Sequence, residues 1–390
     1  MKILSFGHIP SWAGGRQESG LANVIYNLAL NMSNVEGIKM YLSATDVFTD
    51  VDKRDNLTIL GWTKSGLIGY SILHPFMTLK WLVVLIAAKI KYGPTVNYIG
   101  FLFKGLHLAK SINLVRPDAV HLHGMTACIY NKIIDKKVKV IVTMHGMIGN
   151  SPTIPNHKYL SLMERSVCRS NRYEFIGFIS SKLIADFESL YGNIVSKSKV
   201  FLNAYDNESF YYIEPKVHTK MTLLSIASLS ENKGQMRVLK ALAQSKSDIK
   251  YICVGAGTSI EITNHLLFAK TNNIDFEYAG KKTPAEIREI LANVDYVIQP
   301  SYTEGFGLVF LESIACGVPV ILPKHLPIVL EDVIKPDVNA ILLEDSTVES
   351  IIDCLQSLKT NSFQKKSIAK TVSNYTWKQI AQLYCENFKI

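Results

Sequence analysis

Between Asn56 and Pro117 the sequence has no aspartate and no glutamate, yet the stretch holds Lys64, Lys80, Lys89, Lys91, Lys104, Lys110 and Arg116. The whole chain of 390 residues carries 42 Lys+Arg against 33 Asp+Glu. Seven of its nine excess positive charges therefore lie in one segment, and the rest is almost balanced. A local excess mixed with large apolar residues, and no recognised binding module, argue against nucleic acid as a partner. Long apolar runs are missing too: the best uncharged candidate, Trp81 to Ala88, is far shorter than the roughly 18 residues that mark a membrane-crossing helix. The six cysteines are scattered, with no CxxC pair and no zinc-ligand spacing, which fits a reducing cytoplasm. The first residues, MKILSFGHIPSWAGG, lack the apolar core of a signal peptide and read as a strand. A dinucleotide fingerprint is also absent. Val254-Gly255-Ala256-Gly257 follows a strand, but Ile260 stands where the third glycine belongs, and no GxGxxG follows Lys2 to Phe6. A dinucleotide oxidoreductase is excluded on that ground.

What is present is an alternation of short β-branched runs with segments of helical period. Lys2 to Phe6, Ala119 to His123, Val138 to Met144 and Glu174 to Ile179 read as buried strands, as do Thr222 to Ala227, Lys250 to Val254, Tyr296 to Gln299 and Val318 to Leu322. Near-continuous apolar strands, each followed by a helix, predict parallel sheets covered on both faces. The fold class is α/β, doubly wound, twice over. The polar, aromatic stretch 203–220 separates the two series. Thr376 and Gln379 have capping-box spacing ahead of Ile380, Leu383 and Tyr384, which predicts a final helix in need of a surface. The expected domains are 1–203, 204–372 and the terminal helix 373–390, packed back on the first.

The segment Gln299 to Pro319, QPSYTEGFGLVFLESIACGVP, places a strand end, a glycine-bearing loop and a helix from about Gly307 to Cys316 in succession. The open N–H groups of such a helix face the carboxyl edge of the sheet, where α/β folds hold ligands. Gly305 and Gly307 let backbone amides approach an anion closely. Glu304 lies in the loop, and Glu312 leans back toward it from the helix. The alternative is an ordinary strand–loop–helix with two solvated glutamates.

EGFGLVFLE is a Glu-x7-Glu segment and, with SIACGVPVI, resembles the donor-site signature of retaining glycosyltransferase family 4. LSIASLSENKGQ, CVGAGT, VFLNAYDNESF, YTWKQIAQLY, RPDAVHLHG and VTMHG are similar to further family segments, in the same order along nearly the whole chain. The resemblance implies a GT-B architecture, two Rossmann-like domains facing across a cleft, with a nucleotide-sugar held by the second domain and the acceptor by the first. It implies retention of anomeric configuration without a metal, and no cofactor. No Asp-x-Asp sits at a strand end, in keeping with this. It assigns donor-sugar contact to Glu304, ribose binding to Glu312, and donor oxygens to the amides of Gly305, Phe306 and Gly307. Lys233 matches the phosphate-binding lysine; otherwise it is a surface lysine. His145, in VTMHG, matches a histidine near the reacting sugar, while one of His121 and His123 is expected to be a core residue.

One departure stands out. Where the family usually has arginine this chain has Ser228, which donates one hydrogen bond but brings no charge. Arg16, after Gly14 and Gly15 in the loop behind the first strand, is the candidate substitute; otherwise it is a solvated loop residue. Counting back from Asn27, Gly20 rather than Gly15 takes the family's glycine position.

The acid-free segment contains WLVVLIAAKIK and IGFLFKGLHLAK, apolar and aromatic runs interleaved with lysines. It reads as a surface for peripheral contact with an anionic membrane, or as a buried helix pair with solvated lysines. The expected function is thus transfer of a sugar from a UDP- or GDP-sugar to a hydroxyl of a growing, lipid-linked surface glycan (O-antigen, capsule or a related polysaccharide), at the inner face of the cytoplasmic membrane. The rival readings are a nucleotide-sugar epimerase or hydrolase on the same fold, and a non-catalytic partner subunit.

Overall fold

The computed structural model describes residues 1–16, 19–49, 51–149, 154–214, 220–358 and 363–388. Residues 215–219 of the expected linker, and Gln17 and Glu18 of the glycine loop, lie outside the described residues. The chain divides into two compact units, Met1–Asn203 with Trp377–Ile390, and Ala204–Thr376.

The first unit is built on β1 (Lys2–Gly7), β2 (Lys39–Ala44), β3 (Val51–Arg54), β4 (Leu57–Leu60), β5 (Ala119–His123), β6 (Lys139–Met144), β7 (Phe175–Phe178) and β8 (Lys197–Val200). The sheet order is β3-β4-β2-β1-β5-β6-β7-β8. All pairs are parallel except the β3–β4 hairpin. Ile3, Leu4, Val120, Val140, Ile141 and Val142 are fully buried, as central parallel strands covered on both faces require. The covering helices are α1 (Gly20–Ser33), α2 (Lys64–Leu73), α3 (Pro75–Tyr92), α4 (Tyr98–Val115), α5 (Ala127–Tyr130), α6 (His157–Cys168) and α7 (Ser181–Tyr191). The Ser19 side chain accepts a hydrogen bond from the Ala22 amide and so starts α1. The last helix of the chain, α14 (Trp377–Phe388), belongs to this unit. It packs along α1 and stacks Tyr384 on Phe201 with ring centroids 3.9 Å apart.

The second unit holds β9 (Thr222–Ile226), β10 (Lys250–Val254), β11 (Phe276–Gly280), β12 (Tyr296–Ile298), β13 (Val320–Pro323) and β14 (Ala340–Leu343). They are all parallel, in the order β11-β10-β9-β12-β13-β14. Its helices are α8 (Gln235–Ser245), α9 (Ser259–Thr271), α10 (Pro284–Leu291), α11 (Leu308–Ala315), α12 (Val348–Ser357) and α13 (Lys365–Lys370). Thr258 with Glu261 and Thr283 with Glu286 close capping boxes on α9 and α10. Leu223, Tyr251, Ile298, Ile321 and Ile351 form the centre of the core. In each sheet the chain reverses its winding beside the first strand, between β1 and β5 and between β9 and β12. Loops part at such points and leave room for a ligand.

The eight strands expected from the sequence are all present, within two residues at each end. Six more were not legible. β3 and β8 are polar edge strands, VDKR and KSKV, without an apolar face. β11 is a half-buried edge strand, while β2, β4 and β14 are short apolar runs that helix and strand share equally.

Candidate active site

The loop after β9 and the loop after β12 meet at the switch point of the second unit, where Ser225 and Arg237 cross between the two strands and loops and Gln235 braces the first loop. Ser225 donates to the Ile298 carbonyl (2.6 Å) and pairs with the Tyr251 hydroxyl (2.7 Å), tying the two strands and β10 together. Gln235, fully buried at the start of α8, donates to the Ser228 carbonyl (3.2 Å) and accepts from the Ser230 amide (3.4 Å). Arg237 is nearly buried and spans both loops. It donates to the Glu231 carbonyl (2.7 Å) and carboxylate (2.6 Å) and to the Pro300 carbonyl (2.7 Å), and its guanidinium lies 3.8 Å from the Tyr302 ring centroid. Asn232 completes the seam: its carbonyl accepts from the Tyr302 amide (2.9 Å), and its side chain bonds Thr303 on both its donor and acceptor sides.

On this frame Lys233 and Glu304, 71 residues apart in sequence, come together, with Nζ donating to Oε1 at 2.6 Å. Ser301 donates to the same carboxylate oxygen at 2.8 Å. Gly305 is exposed, Phe306 is buried, and Gly307 stands at the head of α11 with φ +89. A Cβ at Gly307 would lie 2.5 Å from the Phe310 ring, so both backbone and space demand glycine. No side chain caps α11, which leaves the amides of its first turn directed at the loop holding Glu304. Glu312, one turn along, is half-buried. Burial, with a smaller contribution from the Asp206 charge, pushes its carboxyl up to about 7. Gly255, with φ +145, brings the loop after β10 against this site: a Cβ there would sit 2.1 Å from the Ala227 carbonyl oxygen. Ser228 is exposed at the rim.

The other expected residues lie in the first unit. Gly14, with φ +81, and Gly15, packed against the Ile9 carbonyl, shape the loop after β1. The Arg16 amide donates to Asp46 (3.0 Å), and its guanidinium lies 4.4 Å from the Phe48 ring centroid. With Asp52 and Arg54 these residues line a cavity of 410 Å³. Gly20, the first residue of α1, faces open space. At the ends of β5 and β6, His145 Nε2 and His123 Nδ1 are 3.0 Å apart, and His123 Nε2 is 3.0 Å from the Ser5 hydroxyl. Burial lowers His145 to about 4, and burial with its histidine neighbours holds His123 well below the ordinary histidine value, so both rings of this chain are neutral near pH 7. The Nδ1 atom of His145 is buried without a partner. His121 is the core histidine, fully buried against Thr143 Oγ1 at 2.8 Å.

Sequence reasoning missed Ser5, Ser301, Asn232, Gln235 and Arg237. Gln235 and Arg237 sit in the first turn of α8, close behind Lys233, and that proximity was the available signal.

Residues 207–375 match the model of the family described as glycosyl transferases group 1. Among curated proteins, the chain is similar to N-acetyl-alpha-D-glucosaminyl L-malate synthase of Bacillus anthracis, at 25% identity over 52% of this chain and 56% of that protein. It is also similar to the phosphatidylinositol N-acetylglucosaminyltransferase GPI3 subunit of Saccharomyces cerevisiae, at 22% identity over 74% of this chain and 66% of the relative. The chain thus spans between half and two thirds of the length of these relatives. Among solved structures, Anabaena HepE in complex with UDP-glucose superposes with a TM-score of 0.69 at 16% identity, over 100% of this chain and 99% of that one. The lipopolysaccharide outer core galactosyltransferase WaaB superposes with a TM-score of 0.66 at 15% identity, over 100% and 99%. The match to glycosyl transferases group 1 thus lies in the second unit, and the fold of the chain is GT-B.

Proposed function

We propose that this chain is a retaining, metal-independent hexosyltransferase that moves a sugar from a nucleotide-sugar, a UDP-sugar in the first instance, to a hydroxyl of a lipid-linked glycan. The observation that carries the reading is the Lys233–Glu304 pair beside the uncapped N-terminus of α11. A departing diphosphate gains negative charge as the sugar leaves, and a lysine with fixed amides stabilises that charge without reorganising. Before a donor arrives Lys233 is neutralised by Glu304. A diphosphate draws the ammonium to itself, and the released carboxylate becomes free to accept from hydroxyls of the donor sugar. Donor binding and arming of Glu304 are then one event. Glu312 would accept from the ribose hydroxyls, and Gly305, Phe306 and Gly307 would offer amides. His145, neutral and with a free ring nitrogen, is suited to hydrogen-bond the reacting sugar rather than to carry a proton as imidazolium. Arg16 is the proposed second cation, in place of the arginine absent at Ser228. The UDP-glucose held by the Anabaena neighbour supports a uridine donor.

The test is turnover of a panel of UDP- and GDP-sugars in EDTA, with and without a lipid-linked oligosaccharide acceptor, resolving the anomer formed. Transfer with retained configuration is expected. Release of free sugar or an epimer from donor alone would favour the hydrolase or epimerase reading, and donor binding without turnover on any acceptor would favour a partner subunit.

A further inference from the structure

Helix α3 is apolar on two opposite sides. Trp81, Leu85, Ala88 and Tyr92 are buried and hold the helix to the unit. Phe76, Leu79, Val83, Ile86 and Ile90 recur at intervals of three and four residues, and all are exposed, Phe76 by 87% and Ile90 by 81%. At 3.6 residues per turn the two stripes lie roughly 170° apart. The second stripe therefore serves no core in the fold. It continues around the elbow at His74 and Pro75, where α2 and α3 meet at 108°. Ile72 and Leu73 project there, Leu73 with 78% of its surface exposed. Ile68 extends the patch down α2, and Ile99 lies exposed on α4. Monomeric soluble proteins rarely expose a contiguous apolar patch of this kind, and those that do use it to meet a partner or a membrane.

Charge identifies the partner. Lys80 and Lys91 flank one side of the stripe, and the sequence from 56 to 117 has no carboxylate side chain to answer them; Lys89, on the other side, donates to the Val96 carbonyl at 3.0 Å. A second copy packed stripe to stripe would set lysine against lysine, without the acid–base pairs that stabilise such seams. An anionic bilayer satisfies both features: its acyl boundary takes the apolar ridge and its headgroups take the lysines. No single helix is long and apolar enough to cross a membrane among the described residues. The stripe from Phe76 to Ile90 spans about 21 Å at 1.5 Å per residue, which suits a helix lying in the interface plane.

We infer that α2 and α3 form an interfacial membrane anchor, inserting Ile72, Leu73, Phe76, Leu79, Val83, Ile86 and Ile90 into one leaflet of an anionic membrane, with Lys80 and Lys91 at the headgroup level. The inference needs no donor and stands apart from the proposed transfer reaction. The experiment is co-sedimentation of the full chain with vesicles of phosphatidylcholine alone or of phosphatidylcholine mixed with anionic phosphatidylglycerol. Wild type is expected to bind the anionic vesicles at least tenfold more tightly than the neutral ones. The exposed triple substitution Phe76→Ser, Val83→Ser, Ile90→Ser should weaken that binding at least tenfold, while Lys80→Gln with Lys91→Gln should abolish the lipid preference. Ile260→Ser with Leu267→Ser, equally exposed on α9, should bind as wild type does and serves as the control for generic stickiness. Three results would overturn the inference: no binding of wild type to either vesicle, wild-type binding by the triple variant, or a dimer in light scattering that the triple variant loses while neither protein binds lipid.

Discussion

Replacing Arg237 by methionine should destabilise the second unit by about 3.5 to 7 kcal/mol and weaken donor binding without touching any donor-facing residue. The magnitude comes from its four contacts. The bond to the buried Pro300 carbonyl (2.7 Å) and that to the Glu231 carbonyl (2.7 Å) are charge-assisted, worth about 1.5 to 3 kcal/mol each. The guanidinium over Tyr302 adds about 0.5 to 1 kcal/mol. The Glu231 carboxylate is 74% exposed and contributes little after solvent screening. Methionine preserves much of the packed volume, so the loss is in the bonds that join the loop after β9 to the loop after β12. Urea unfolding of the full chain should show the second unit's transition moving to lower denaturant. Hydrogen exchange should show the Tyr302 amide, which donates to the Asn232 carbonyl, opening faster than amides of the central strands. Arg237→Lys should restore less than half of the stability, because an ammonium cannot span both carbonyls as the fork does. A loss below about 1 kcal/mol, or unchanged exchange at Tyr302, would refute the idea that one guanidinium holds the site's two loops in register.

Further outcomes follow from the geometry. Lys233→Met should lower kcat/KM for the donor by about 10²- to 10³-fold, in the range for removing one stabiliser of developing charge; a value within twofold of wild type removes Lys233 from the mechanism. Because the Glu312 carboxyl is raised to about 7, the folded state holds its proton more tightly than the unfolded one. Its contribution to stability is therefore present below the ordinary carboxylate range and lost as pH rises through about 7, and Glu312→Gln should flatten that decline in thermal melts. Donor affinity should move the opposite way in wild type, tightening between pH 6 and pH 8 as the carboxylate forms, and a Kd independent of pH by calorimetry would count against ribose binding at Glu312. His145→Ala should lower kcat with little change in donor KM, and since its ring is neutral above about 4 the kcat–pH profile should gain or lose no limb near 6.5. Arg16→Ala should raise donor KM or lower kcat; an unchanged kcat/KM would leave Arg16 as a loop residue stacked on Phe48.

Much of the candidate site was legible because its chemistry is local. Glu304, Gly305, Phe306, Gly307 and Glu312 occupy one strand–loop–helix, and the spacing alone places the loop ahead of an uncapped helix. Lys233 was legible through its flanking segment. The partners that hold these groups were not: Ser5 sits inside a strand whose periodicity says only that it is buried, and Arg237 looks like any helical arginine until β9 and β12 are known to be neighbours. Likewise, WLVVLIAAKIK left both a buried helix and a surface helix open, since an amphipathic pattern needs one polar face and α3 has none of any width.

The sequence by itself determined two parallel, doubly wound sheets, because strands covered on both faces must be apolar at nearly every position and the helices between them repeat with a different period. It also determined which segment bears the acidic and glycine residues of the candidate site, and that most of the basic excess lies in 56–117. Tertiary structure alone decided that Lys233 is held by Glu304, that Ser5, His123 and His145 form one neutral chain, and that one of α3's two apolar stripes stays uncovered. The reason is the same in each case. A contact across strands paired at long range, or a face left bare, depends on which elements become neighbours, and no residue's immediate sequence carries that information.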